Sequence, residues 1–135
     1  MELSKNDWKL FRERLPGWQE RYMDKLTREY AEFLTDDSHQ PSERFWTLNK
    51  RIREARRKPG VQLELRKQNV VFDLAHLIAD GAVSLDELDG FSEELQNMVR
   101  ELSQKQVQKS RSRGLSRHSL FEVDEIIILQ MRPSF

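Results

Sequence analysis

The stretch VVFDLAHLIADGAVSLDEL, from Val70 to Leu88, decides the fold of this 135-residue chain. It continues an apolar stripe that starts at Val61. The residues of this stripe recur at helical spacing, and they are almost too apolar for a helix on the surface. Val70-Val71-Phe72 would also suit a strand, but the length of the pattern favours a helix whose C-terminal half is the centre of the core. Gly81 is typical of a left-handed helix end, and Ser84 with Glu87 predicts a capping box that opens the next helix.

Helical patterns also precede and follow this stretch. Ser4 predicts a cap, and the apolar stripe after it runs to Leu34 as two helices or one kinked at Pro16-Gly17. Ser42 predicts the capped start of a helix that Pro59-Gly60 ends, with Phe45 and Ile52 on its buried side. A last stripe continues to Leu102, with a fresh cap at Ser92.

These patterns predict an all-α fold, a compact bundle of four to five helices with a C-terminal tail that contains a short β-strand. We expect a helical domain over residues 1–102, a basic linker or helix extension over 103–119 and an apolar terminal strand over 120–135. The predicted core consists of Trp8, Phe11, Trp18, Tyr22, Leu26, Phe45, Trp46, Ile52, Leu74, Leu77, Ile78, Leu88, Phe91 and Leu95.

Composition excludes several classes of site. The chain has no cysteine, which rules out disulfides, thiolate metal ligands and a cysteine nucleophile, and its three histidines make a histidine-rich metal centre hard to assemble. We expect no cofactor and no metal. No apolar run is long enough to span a membrane and no secretory signal is visible, so the sequence predicts a soluble, cytoplasmic protein.

Charge is segregated along a chain whose formal net charge is zero. Residues 50–67 are strongly basic, residues 73–101 are strongly acidic, and residues 103–119 contain basic residues without an acid. Either the basic helix binds phosphates or an acidic partner, or it pairs with the acidic block inside the fold. The candidate binding residues are Lys50, Arg51, Arg53, Arg56, Arg57, Lys58, Lys109, Arg111, Arg113 and Arg117.

The apolar run near the C-terminus predicts a strand that needs a partner, because an exposed strand with unpaired backbone groups invites association. Its candidate contact residues are Phe121, Val123, Ile126 and Ile128. They would bind a partner or a second copy in a homodimer, or pack across the helices of the same chain.

Two features resemble functional motifs. The segment from Asp80 to Leu88 is similar to the second half of an EF-hand loop, but His76 and Ile78 stand where calcium ligands are needed, so a helix end and capped helix start explain it better. His76 is expected to be a hydrogen-bonded core residue, or, in an enzyme, an acid or base acting with Asp73 or Asp80. Because there is no nucleophile elbow and no phosphate loop, we predict no catalytic residues and no enzyme.

The phrases MELSKNDWKLF, WQERYMDKL, SERFWTLNKRIRE, KPGV and LIADGAVSLDELDGFSEEL resemble a group of small, uncharacterised helical proteins of anaerobic Firmicutes, often encoded among mobile-element genes. The resemblance covers residues 1–102 and carries no activity to any residue. It implies a context in which small proteins inhibit host defence, and hence an anti-CRISPR-like inhibitor.

Together these observations predict a non-catalytic binding protein that docks on a protein or ribonucleoprotein target. The alternative is a nucleic-acid-binding transcriptional regulator that uses the basic helix 50–58 and the basic tail.

Overall fold

The computed structural model describes the backbone of residues 3–115 and the side chains of residues 3–105. Within that part of the chain all regular structure is helical, which confirms the all-α prediction there. The helices are α1 (Lys5–Leu34), α2 (Pro41–Ala55), α3 (Val70–Ala79) and α4 (Glu93–Leu115), with short 3₁₀ helices at Lys67–Asn69 and Leu85–Leu88. The predicted strand, with Phe121, Val123, Ile126 and Ile128, lies outside the described residues.

Helix α1 begins with the predicted cap, since the Ser4 hydroxyl accepts a hydrogen bond of 3.0 Å from the Asp7 backbone N–H. It then continues as one helix through Pro16 to Leu34, so of the two possibilities the break into two helices was wrong. Pro16 lacks the backbone N–H that would donate to the Arg12 carbonyl, and both residues are exposed. The opposite side of the helix buries Phe11 and Leu15, and this packing offsets the lost hydrogen bond.

The core forms where α1, α3 and α4 meet, and the stretch from Val70 to Leu88 provides its centre, as predicted. Val70, Leu74 and Leu77 of α3 are completely buried. The other buried members of this cluster are Phe11, Leu15, Trp18, Tyr22, Ala82, Val83, Leu88, Phe91, Leu95 and Val99.

Residues 61–66 do not belong to α3, although the sequence predicted that its stripe begins at Val61. Val61 and Leu63 contact the core while Gln62 and Glu64 are exposed, an alternation typical of extended chain rather than of a helix. Leu65 is exposed. A spacing of two fits a helix poorly, and helix α3 therefore starts only at Val70.

The connection from α3 to α4 is built from local signals that the sequence shows. Gly81 has a φ of 80°, and the Ala82 N–H donates 2.9 Å to the Leu77 carbonyl, which closes α3. Ser84 and Glu87 form the predicted capping box, although it opens the 3₁₀ helix Leu85–Leu88 rather than a longer helix.

Helix α2 runs antiparallel to the second half of α1. At one end the Arg44 guanidinium donates 2.6 Å to the Leu34 carbonyl, and at the other the Gln19 amide donates 2.9 Å to the Pro59 carbonyl. Helix α2 begins at Pro41 with Gln40 as its cap residue, so the predicted cap at Ser42 was wrong. Proline is favoured at the first helical position because its missing N–H is not needed there.

Candidate interaction surface

The side of α2 that faces α1 is mainly polar. Thr47 and Ala55 are buried on this side together with Glu43, whose carboxylate accepts a hydrogen bond of 2.6 Å from His39 Nδ1. Arg51 is half-buried, and its guanidinium lies 4.4 Å from the centre of the Phe33 ring. Residues 43, 47, 51 and 55 are four apart, so they share one face of the helix. Helix α2 is therefore attached to α1 by polar and cation–π contacts.

The opposite side of α2 carries apolar residues that the sequence placed in the core. Phe45 is 63% exposed and Ile52 is 42% exposed, so both core predictions were wrong. These two residues are seven apart and lie on the face opposite Glu43 and Thr47. The Phe45 ring packs edge-on against Trp46 at 5.0 Å between centroids. Two exposed large apolar side chains on one helix make this face a candidate contact surface.

Basic residues lie beside these apolar side chains. Arg53 and Arg56 are exposed on the same side of α2, with Asn49 between the two apolar positions. Among the residues whose side chains the structure describes, neither arginine forms an ion pair. We call the exposed set Phe45, Asn49, Ile52, Arg53 and Arg56 the α2 outer face. It combines apolar area with two available positive charges.

The other basic residues predicted for this helix have structural contacts or lie on its flank. The Lys50 side chain is only 15% exposed and pairs with Glu54 at 3.7 Å, and Lys58 pairs with Asp80 at 3.4 Å. Within residues 3–105, the Lys58–Asp80 pair is the only ion pair that joins the basic block to the acidic block. A shallow hollow of about 210 Å³ is lined by Lys50, Arg53, Glu54 and Arg57.

The predicted basic residues beyond α2 are only partly described. Lys109, Arg111 and Arg113 belong to α4, which continues as helix through Leu115. Arg117 lies outside the described residues.

A second cleft of about 440 Å³ lies between α1 and α2, where Tyr22 and Tyr30 face Arg51 and Lys58. Burial raises the pKa of both tyrosines, which keeps their hydroxyls protonated. The two cations in the lining are balanced by Glu29 and Glu54. The cleft consequently has no excess charge that would select an ionic ligand.

One of the two features that resembled functional motifs is the pair Asp73 and His76 on α3. His76 is exposed on α3, so the expectation of a core histidine was wrong. Asp73 lies one turn before His76, and one of its carboxyl oxygens is buried without a hydrogen-bond partner. Burial raises the pKa of this carboxyl to about 6, and the nearby His76 opposes part of that rise. No hydrogen bond joins the two side chains in the described structure.

The loop that resembles half of an EF-hand is held by arginines of α1. The Glu87 carboxylate accepts hydrogen bonds of 2.6 and 2.8 Å from Arg21 and a third from the Ser84 N–H, and this lowers its pKa. Arg14 donates to the Glu87 and Asp89 carbonyls. A cation would have to displace Arg21. Residues 3–105 contain no group of three or more histidine or acidic side chains that could hold a metal ion.

No helix in the described part of the chain is long and apolar enough to cross a membrane. No protein-family model matches the chain, and searches of curated proteins and of solved structures also give no match. The resemblance to small helical proteins of Firmicutes stays a prediction.

Proposed function

We propose that the protein is a non-catalytic binding protein and that the α2 outer face is its contact surface for a protein or ribonucleoprotein partner. The observation that carries the proposal is the inverted arrangement of α2, which buries Glu43 and Thr47 and exposes Phe45 and Ile52. Exposing large apolar side chains costs free energy in water, and a partner that covers them would recover it.

The chemistry of the face indicates what kind of partner fits it. Aromatic residues and arginine are enriched in the centres of protein interfaces, where they contribute most of the binding energy. Phe45 and Ile52 would fill apolar hollows, while Arg53 and Arg56 would pair with acidic groups or phosphates around them. A partner surface that is apolar at its centre and acidic at its rim meets both requirements.

The proposal is tested by affinity purification of the tagged full-length chain and of the double variant Phe45→Asp, Ile52→Asp. Because both side chains are exposed, we expect the variant to fold, which circular dichroism checks. A control substitution away from the α2 outer face is Glu13→Lys on the first half of α1, where the exposed Glu13 lies 3.9 Å from Lys9. We expect a partner that copurifies with the wild type and the control and is lost from the double variant. Equal recovery with all three chains would contradict the proposal.

The resemblance to mobile-element proteins suggests one class of target, the nucleases of CRISPR defence. In that case the purified chain inhibits target cleavage by such a nuclease, and the double variant loses the inhibition while Glu13→Lys keeps it. Cleavage that is unchanged by the wild type at any concentration would remove this class of target.

A nucleic-acid-binding regulator is the second candidate. It is favoured by Arg53 and Arg57, which line a hollow together with the Lys50–Glu54 ion pair. Direct binding to DNA or RNA releases counterions, so the affinity would fall steeply as salt rises. A fluorescence anisotropy titration at several salt concentrations tests this candidate, with Arg53→Ala, Arg57→Ala as the variant. No binding to bare nucleic acid at low salt would exclude it.

A further inference from the structure

The apolar part of the α2 outer face and the C-terminal segment of the same chain have complementary chemistry. Residues 120–131, LFEVDEIIILQM, contain seven Leu, Ile, Val or Phe residues and three acids, Glu122, Asp124 and Glu125, without any Lys or Arg. The α2 outer face has two exposed apolar residues and two arginines without an ion pair among the described residues. The segment and the α2 outer face therefore both present apolar side chains, and their charges are opposite.

We infer that residues 120–131 bind the α2 outer face of their own chain in the free protein. Phe45 and Ile52 would contact the apolar side chains of the segment, and Arg53 and Arg56 would pair with its acids. Such a contact removes from water two apolar surfaces that are otherwise unfavourable there. It also places the acids of the segment beside two arginines, which is electrostatically favourable.

The segment follows the described end of α4 closely in sequence. Helix α4 is described through Leu115, and residues 116–119 precede the segment. At about 3.3 Å per extended residue, residue 120 can lie up to about 17 Å from Leu115 and residue 131 up to about 53 Å. A contact within one chain also has the advantage of a high effective concentration.

This inference does not rest on the proposed function, because it concerns the free protein. If both are correct, a partner that binds the α2 outer face has to displace the segment first, and the segment would act as an intramolecular competitor.

The test uses the full-length chain, whose lack of native cysteine allows a spin label at a single introduced site. The variant Asn49→Cys carries the label on the α2 outer face, and the control Glu13→Cys carries it on the first half of α1. We expect the label at position 49 to reduce the amide NMR signals of residues 120–131 by at least half, and the label at position 13 to leave them nearly unchanged. Equal effects from the two labels, or none from either, would overturn the inference.

Two further measurements distinguish a contact within one chain from a contact between copies and test the charge pairing. Isotope-labelled chains without a spin label, mixed with unlabelled chains that carry it, report only contacts between copies. Loss of the signals of residues 120–131 in that mixture would assign the contact to a dimer and overturn the inference. The variant Arg53→Glu, Arg56→Glu in the Asn49→Cys background should restore most of the lost signal. If the loss is unchanged by this charge reversal, the charge pairing is wrong. With the spin label reduced to its diamagnetic form, unchanged amide positions for residues 5–105 away from the substituted sites show that each variant is folded.

Discussion

The buried contact between Asp7 and Ser92 allows the most quantitative test of how this fold is held together. Asp7 is completely buried in the first turn of α1, and its carboxylate accepts hydrogen bonds of 2.8 Å from the Ser92 N–H and 2.6 Å from the Ser92 hydroxyl. The same hydroxyl accepts from the Leu95 N–H at 3.2 Å, which caps α4. One carboxylate thus joins the start of α1 to the start of α4.

The expected loss follows from these contacts. A hydrogen bond to a charged group contributes about 1.5 kcal/mol or more to the free energy of unfolding, so Asp7→Ala should lower that free energy by about 3 kcal/mol. Asp7→Asn keeps one good acceptor and should cost about half as much. Asp24→Ala is the matched control on the same helix, because Asp24 forms only an exposed ion pair with Arg28, which contributes less than about 0.5 kcal/mol.

The assay is urea denaturation of the wild type and the variants, followed by circular dichroism, with a common slope that shows comparable unfolding. Ser92→Ala, alone and combined with Asp7→Ala, completes a double-mutant cycle, and the coupling energy should be about 1–2 kcal/mol. If Asp7→Ala were no more destabilising than Asp24→Ala, the role given to this contact would be refuted.

Two other changes test the packing and the electrostatics. Burial raises the pKa of Asp73 to about 6, above its value in the unfolded chain, so the folded state binds this proton more tightly and loses stability as pH rises from about 4 to 6. Asp73→Asn should make the fall in the free energy of unfolding between pH 4 and 6 smaller by about 1 kcal/mol, a figure that allows for solvent screening. If the variant and the wild type had identical pH profiles of unfolding, this expectation would be contradicted. Gly17 lies in open space on α1, so Gly17→Ala should raise the melting temperature. Gly60→Ala should lower the melting temperature, because a Cβ at this position would lie 2.5 Å from the Tyr22 ring. Equal effects of the two substitutions would refute this contrast.

Most features set by local chemistry could be predicted from the sequence, and the cap expected at Ser42 is the exception. The caps at Ser4 and Ser92, the positive φ of Gly81 and the capping box at Ser84 each depend on residues within a few positions of one another. The central position of residues 70–88 in the core also followed from their apolar pattern. Locally encoded features need no knowledge of what packs against them.

The orientation of α2 could not be predicted in the same way. Its apolar residues Phe45, Trp46, Leu48 and Ile52 are spread around much of the helix, so their spacing does not define one buried face. The buried side is decided by partners distant in sequence, such as Phe33 beneath Arg51. Consequently the sequence identified the basic residues of the candidate surface but missed its apolar members, because it assigned Phe45 and Ile52 to the core.

The central claim is that a partner contacts the α2 outer face. The most direct test is the dissociation constant of the copurified partner, measured by calorimetry for the wild type, for Ile52→Asp and for the control Glu13→Lys. An unpaired carboxylate buried in the interface should weaken binding by at least about tenfold, which corresponds to about 1.4 kcal/mol, while the control should bind like the wild type. An affinity of Ile52→Asp equal to that of the wild type would contradict the central claim.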